Sequence, residues 1–169
     1  YQMGCEPAVE PVFGADVQGF NRTSFTCLDG ATGFEDNGDG TTTDNLSGLI
    51  WLKDADCLYA KTWTEALSAV EGLADGACGL SDGSSAGDWR LPNVNELSSL
   101  LDPNVSGPPL LPPGHPFEDV HSHGYWTSTT DDIWHEKGWY VALSNGYVGR
   151  RDKAGTIQTY YLLAVRGGQ

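Results

Sequence analysis

Four cysteines, Cys5, Cys27, Cys57 and Cys78, fall in the first half of a 169-residue chain, and they constrain its fold more than any other feature. None forms a C-x-x-C pair, and none sits near a histidine at zinc-finger spacing, so the familiar cysteine metal motifs are excluded. An even count in an acidic, glycine- and tryptophan-rich chain points to disulfides and an oxidising compartment. Four cysteines permit three pairings. Cys5–Cys27 and Cys57–Cys78 are favoured because each closes a local loop. A bridge over roughly 20 residues stabilises by about 3 kcal/mol in the chain-entropy model. Free buried thiols are the alternative.

The formal net charge is −14 and the pI about 4.3. Such a surface repels nucleic acid and anionic lipid headgroups, so neither is expected as a partner. No apolar run approaches the ~20 residues that span a bilayer. With the expected disulfides, this predicts a secreted or cell-surface protein, extracellular or periplasmic, whose signal was removed ahead of Tyr1. The length suits one domain with a real core. Three N-x-S/T sequons, at Asn21, Asn45 and Asn104, matter only if the source is eukaryotic.

Residues 1–30 carry Pro7, Pro11, Gly14, Gly19 and Gly30 and read as an irregular N-terminal extension. The folded domain is expected over 31–169. Phe34 to Asp36 and Thr41 to Thr43 flank the turn Asn37-Gly38-Asp39-Gly40, and Leu49-Ile50-Trp51-Leu52 reads as a buried strand. Thr62 and Glu65 form a capping box, and Trp63, Ala66, Leu67, Val70 and Leu73 make one helical face, which Asp75-Gly76 stops. A second helix follows Pro92, capped by Asn93 and Glu96. Its face is Val94, Leu97, Leu100 and Leu101, and Asp102-Pro103 ends it.

Residues 102–118 hold six prolines and two glycines and are read as a loop. Strands are expected over Tyr125–Thr129, Trp139–Leu143, Tyr147–Arg150 and Tyr160–Arg166, with Asn145-Gly146 as a type I′ hairpin turn. The class is α+β: two helices beside a mostly antiparallel sheet.

This order of residues resembles the Lcl C-terminal domain family, named for a collagen-like bacterial surface adhesin. The resemblance rests on Asp36-Asn37-Gly38-Asp39-Gly40-Thr41, Thr43-Asp44 and Ser47-Gly48-Leu49-Ile50-Trp51, then Trp63 with Glu65-Ala66-Leu67. Next come Gly87-Asp88-Trp89-Arg90-Leu91-Pro92 with Glu96-Leu97, and Tyr125-Trp126-Thr127-Ser128-Thr129. Trp139, Asn145-Gly146 and Ala164-Val165-Arg166 complete the series, which runs from about residue 34 to 167. It implies a C-type-lectin-like fold of the formylglycine-generating-enzyme branch, and an adhesive role. Two departures stand out. Ala164 replaces a cysteine that the family often carries, and the proline-rich loop is longer than usual.

Several clusters invite a chemical reading. Asp36, Asp39 and Asp44 lie within nine residues, in partial resemblance to a calcium loop, although Ser47 stands where the twelfth-position glutamate would be. Calcium is thus the one cofactor considered, and a plain hairpin turn explains the same residues. Leu91-Pro92-Asn93 lacks the carboxylate that calcium-dependent lectins use for sugars. His121-Ser122-His123, with Glu118 and Asp119 nearby, suggests zinc or copper but offers no third ligand, so exposed loop histidines are the simpler reading.

Formylglycine-generating chemistry needs a reactive cysteine pair near the C-terminus, and no cysteine follows Cys78. The expectation is a binding protein and not an enzyme. The ligand-binding candidates are Asp131, Trp134, His135, Tyr147 and Arg150. Trp134 and its polar neighbours join two strands, and an exposed aromatic ringed by polar groups is how hot spots are composed. The alternative is that Trp134 folds back as a lid on the core. The expected role is adhesion to a protein or glycan at a cell surface. The runner-up is a structural subunit that self-associates through residues 1–30.

Overall fold

The computed structural model describes residues 33–154 and 159–167, plus the backbone of two short strands, Glu6–Pro7 (β1) and Phe25–Thr26 (β2), which pair antiparallel. The expected Cys5–Cys27 bridge lies outside the described residues. In chain order the remaining elements are β3 (Phe34–Asp36), β4 (Thr41–Asp44), β5 (Ile50–Leu52), α1 (Trp63–Glu71) and α2 (Val94–Ser98), then β6 (Gly124–Thr130), β7 (Lys137–Ala142), β8 (Val148–Asp152) and β9 (Val165–Arg166).

The α+β class holds, but β3 to β9 form two antiparallel sheets and not one. The first is ordered β3-β4-β5-β9 and the second β6-β7-β8. The split follows from the closing segment. Tyr160 to Arg166 stays extended but does not run as one ladder. Tyr160 and Tyr161 touch Lys61 and Tyr125 in single bridges, and Val165, which also bridges Arg90, and Arg166 then pair with β5.

Both helices start where their caps predict. Glu65 accepts from the Thr62 amide at 3.1 Å, and Asn93 accepts from the Glu96 amide at 2.9 Å. Both end earlier than the apolar periodicity suggested. Helix α1 stops at Gly72, whose amide bonds back to Ser68, and α2 stops after five residues at Ser99. Leu73 and Leu100, beyond those ends, are still buried. The turn after β7 also differs. It is a four-residue loop, 143–146, closed by the Gly146 amide on the Ala142 carbonyl at 2.8 Å. Only Gly146 has positive φ there, whereas a type I′ turn needs two such residues.

The second sheet is packed on both faces. Residues directly opposite in a ladder share a face. Tyr125 and Val141 therefore look one way, into a cluster with Trp51, Leu97, Leu100, Leu143 and Leu163. Trp126 and Tyr140 look the other way, into a cluster with Leu52, Val70, Trp89 and Leu91. Trp89 and Leu91 both enter this second core, as an extended Trp-Arg-Leu-Pro segment requires. Arg90, pointing outward between them, makes two 2.8 Å hydrogen bonds to Glu96. Cys57 and Cys78 are bonded, with Cα atoms 5.6 Å apart, closing the loop that contains α1.

Candidate functional site

The connection between β6 and β7 is built around one carboxylate. Asp131 is 2 % exposed, at the end of β6. Its Oδ1 accepts from the Ile133 amide at 3.0 Å and the Trp134 amide at 2.8 Å, so it caps the turn it begins. Its Oδ2 accepts from Arg150 Nη1 at 2.7 Å. The Trp134 amide and the Arg150 guanidinium hold the Asp131 carboxyl down at about 2. The turn closes where the Lys137 amide donates to the Trp134 carbonyl at 2.8 Å.

Arg150 comes from β8, opposite Trp139. Its guanidinium lies 4.1 Å from the centroid of the Trp134 ring and 5.8 Å from that of Trp139. Sequence positions 131, 134 and 150 thus converge: the carboxylate fixes the arginine, and the arginine seats the indole. Trp134 is 42 % exposed, which places it at the surface and not as a lid over the core. Ile133 beside it is exposed as well.

His135 is exposed, and its carbonyl, not its ring, makes the contact that fixes the loop: it accepts from Lys153 Nζ at 2.9 Å. Tyr147 does not join the group. It lies opposite Ala142, two places from Tyr140 along the alternation, so it sits on the other face of the sheet. There it is exposed, 6.3 Å from the Tyr140 ring, beside Arg151, whose guanidinium is 5.8 Å from Tyr140.

Sequence reasoning missed two ring stacks, the first on that second face and the second beside Tyr125 on the first face. Tyr140 stacks on Tyr160 at 4.4 Å, and His121 stacks on Tyr161 at 3.9 Å with His123 against both tyrosines. His121 Nε2 is 3.0 Å from Asp56. The aromatic density of the last third of the chain was visible in sequence, but which ring meets which depends on the closing segment leaving its ladder.

The three hairpin carboxylates are not brought together. Asp36 pairs with Lys53 at 2.9 Å and accepts from the Gly38 amide, and the hydrogen bond to Lys53 holds its carboxyl below the usual range. Asp39 accepts from the amide and hydroxyl of Thr41. Asp44 is buried and accepts from the Leu46 amide and the Ser47 hydroxyl. Among the described residues no three His, Cys, Asp or Glu side chains cluster as metal ligands.

A domain built from two antiparallel sheets and two capped helices, with one exposed, clamped tryptophan, is what these residues define. Residues 40–166 match the family model described as the Lcl C-terminal domain, and the chain belongs to that family. No curated protein matches the chain.

Proposed function

We propose that this chain is an extracellular or cell-surface binding module, with adhesion to a protein or glycan ligand as its role and no catalytic step. The observation that carries the reading is the seat of Trp134. An indole left 42 % exposed is normally free to move, but this one rests on Arg150, which is itself fixed by the buried Asp131. A pre-organised aromatic anchor loses little freedom on binding, so more of its contact energy appears as affinity. The Cys57–Cys78 bridge supports an oxidising location. The family resemblance adds the C-type-lectin-like fold and the adhesive role to the same proposal. No helix among the described residues is long and apolar enough to cross a membrane.

The test is a protein and glycan binding screen on the wild-type chain and on Trp134→Ala, each with calcium and with chelator. Trp134→Ala should lose ligand while its unfolding midpoint stays close to the wild type. A cation–π contact at an exposed site is worth about 0.5–1 kcal/mol, so only a small shift is expected. A large fall in midpoint with ligand retained would show Trp134 to be structural and end this reading of the site.

A further inference from the structure

Among the described residues, the sheet β6-β7-β8 has one open side. β6 is covered along its outer edge, where Tyr125 bridges Tyr161 and the Trp126 amide bonds the Tyr161 carbonyl at 3.0 Å. β8 is not. Its bonded pairs with β7 are fixed by the Ala142 amide on the Tyr147 carbonyl and the Lys153 amide on the Glu136 carbonyl. Alternation then points the amides and carbonyls of Val148, Arg150 and Asp152 away from the sheet. Among the described residues none of those three amides has a partner. The Arg150 carbonyl takes only a 3.5 Å contact from Arg151. Val148, Arg151 and Asp152 are exposed, as is Tyr147 at the strand's start.

The charge on this edge is mixed, with Asp152 paired to Lys137 beside the arginines. The net charge is −14, yet β8 carries two adjacent arginines. Arg150 is paired with Asp131. Arg151 has no carboxylate partner among the described residues; it leans on Tyr140, and its charge is favoured by the Tyr160 hydroxyl. Charged residues on an edge usually prevent pairing with other chains. Here they discourage neutral and basic strands and leave an acidic one attractive.

We propose that the β8 edge is a docking strand for an extended acidic segment of a partner polypeptide, which adds to the sheet as a fourth strand beside β8. The proposal rests on the binding reading above and names its partner class. Backbone hydrogen bonds along Val148–Asp152 supply the register, and a carboxylate opposite Arg151 supplies the selectivity. A second copy of this chain does not fit the edge. The antiparallel self-pairing that uses all of β8 sets Arg150 against Arg150. Directly opposed like charges are destabilising, and both copies carry the same −14.

The experiment uses three synthetic peptides with the whole chain. One is acidic, Thr-Glu-Val-Glu-Val-Glu-Thr with blocked ends. One replaces each Glu by Lys. One keeps the Glu residues but replaces both Val by Pro, which preserves charge and removes strand-forming ability. The readout is amide hydrogen exchange resolved by residue. The acidic peptide should slow exchange at Val148, Arg150 and Asp152 by about tenfold or more at saturation. The other two peptides should leave these amides unchanged. Arg151→Glu, an exposed position, should weaken the acidic peptide several-fold. Failure of the acidic peptide to protect the three amides overturns the proposal. Equal binding by the proline peptide also overturns it, since attraction would then be charge alone. The Trp134→Ala screen is scored on its own, so a Trp134-dependent ligand captured without edge protection removes the docking strand and leaves the binding reading standing.

Discussion

Two turns of this molecule are rich in carboxylates and use them in opposite ways. In the β3–β4 hairpin and the turn after it, Asp36, Asp39 and Asp44 each accept from amides or hydroxyls within their own turn, and Asp36 also pairs with Lys53. In the β6–β7 connection a single carboxylate, Asp131, gathers two amides of its turn and an arginine from another strand. The first arrangement divides the task among exchangeable groups. The second concentrates it, and so one side chain sets the position of an exposed tryptophan. Acid-rich sequence therefore says little about a site until it is known whether the acids share a partner.

Asp131→Asn is the sharpest way to break this contrast, and it should have the largest effect. The amide keeps the size of the carboxylate but leaves Arg150 without a counter-charge. Asp131 is buried while the Arg150 side chain is 38 % exposed, so the change costs the carboxylate's charge-assisted bonds more than it strands the arginine. The unfolding midpoint should fall further than for any hairpin aspartate, and the near-UV signal of Trp134 should change.

The acid limb of the stability curve provides a second check on the same group. The Trp134 amide and Arg150 hold the folded Asp131 carboxyl down at about 2, below an unfolded aspartate at ~3.9. Its stabilising contribution is therefore complete above the unfolded value and is lost as pH falls through the folded one. Wild type should lose this contribution between about pH 4 and pH 2, and Asp131→Asn should not. Parallel acid-unfolding curves for the two proteins would mean that Arg150 does not hold this carboxylate in solution.

Asp39→Ala should cost less, about 1 kcal/mol, because it removes hydrogen bonds to Thr41 in a partly exposed turn. The loss should be the same in calcium and in chelator. A ligand that binds only the folded state adds stability only when its site exists. A fall in melting temperature confined to calcium would restore a metal to this hairpin and make its carboxylates cooperative, contrary to the division drawn above.

Local signals in the sequence located most elements. The capping residues Thr62 and Asn93 set both helix starts, and turn residues set β3, β4 and β5, because those features depend on neighbours within a few positions. Cys57–Cys78 was legible because the loop around α1 is short. The helix ends, the loop after β7 and the division into two sheets were not, since tertiary packing buries Leu73 and Leu100 without further helix. In the candidate site, Asp131 and Trp134 were readable as polar and aromatic residues of one turn, and Arg150 as a residue of the strand that returns beside it. Tyr147 was misplaced by one step of strand alternation, which moves a side chain to the opposite face. The His121–Tyr161 stack was unreadable, because its partners are far apart in sequence and meet only through the closing segment.

The smallest effect is expected at Asp36, and it tests how replaceable a hairpin carboxylate is. Lys53 Nζ lies 2.9 Å from Asp36 and 2.8 Å from Glu118, and both carboxylates are well exposed. The hydrogen bond to Asp36, followed by that to Glu118, raises the lysine's affinity for its proton. Asp36→Asn leaves Lys53 still paired with Glu118, and the new amide oxygen can still accept from the Gly38 amide. Exposed pairs contribute about 0–1 kcal/mol, so the loss should lie at the low end of that range. It should shrink further in 1 M salt, where the screening length is about 3 Å. Denaturant unfolding at low and high salt measures both quantities. Asp36→Asn combined with Glu118→Gln should cost more than the sum of the two single changes, because each carboxylate covers for the other only while one remains. Simple additivity would show that the two act independently, and that the hairpin lacks the redundancy which separates it from the turn at Asp131.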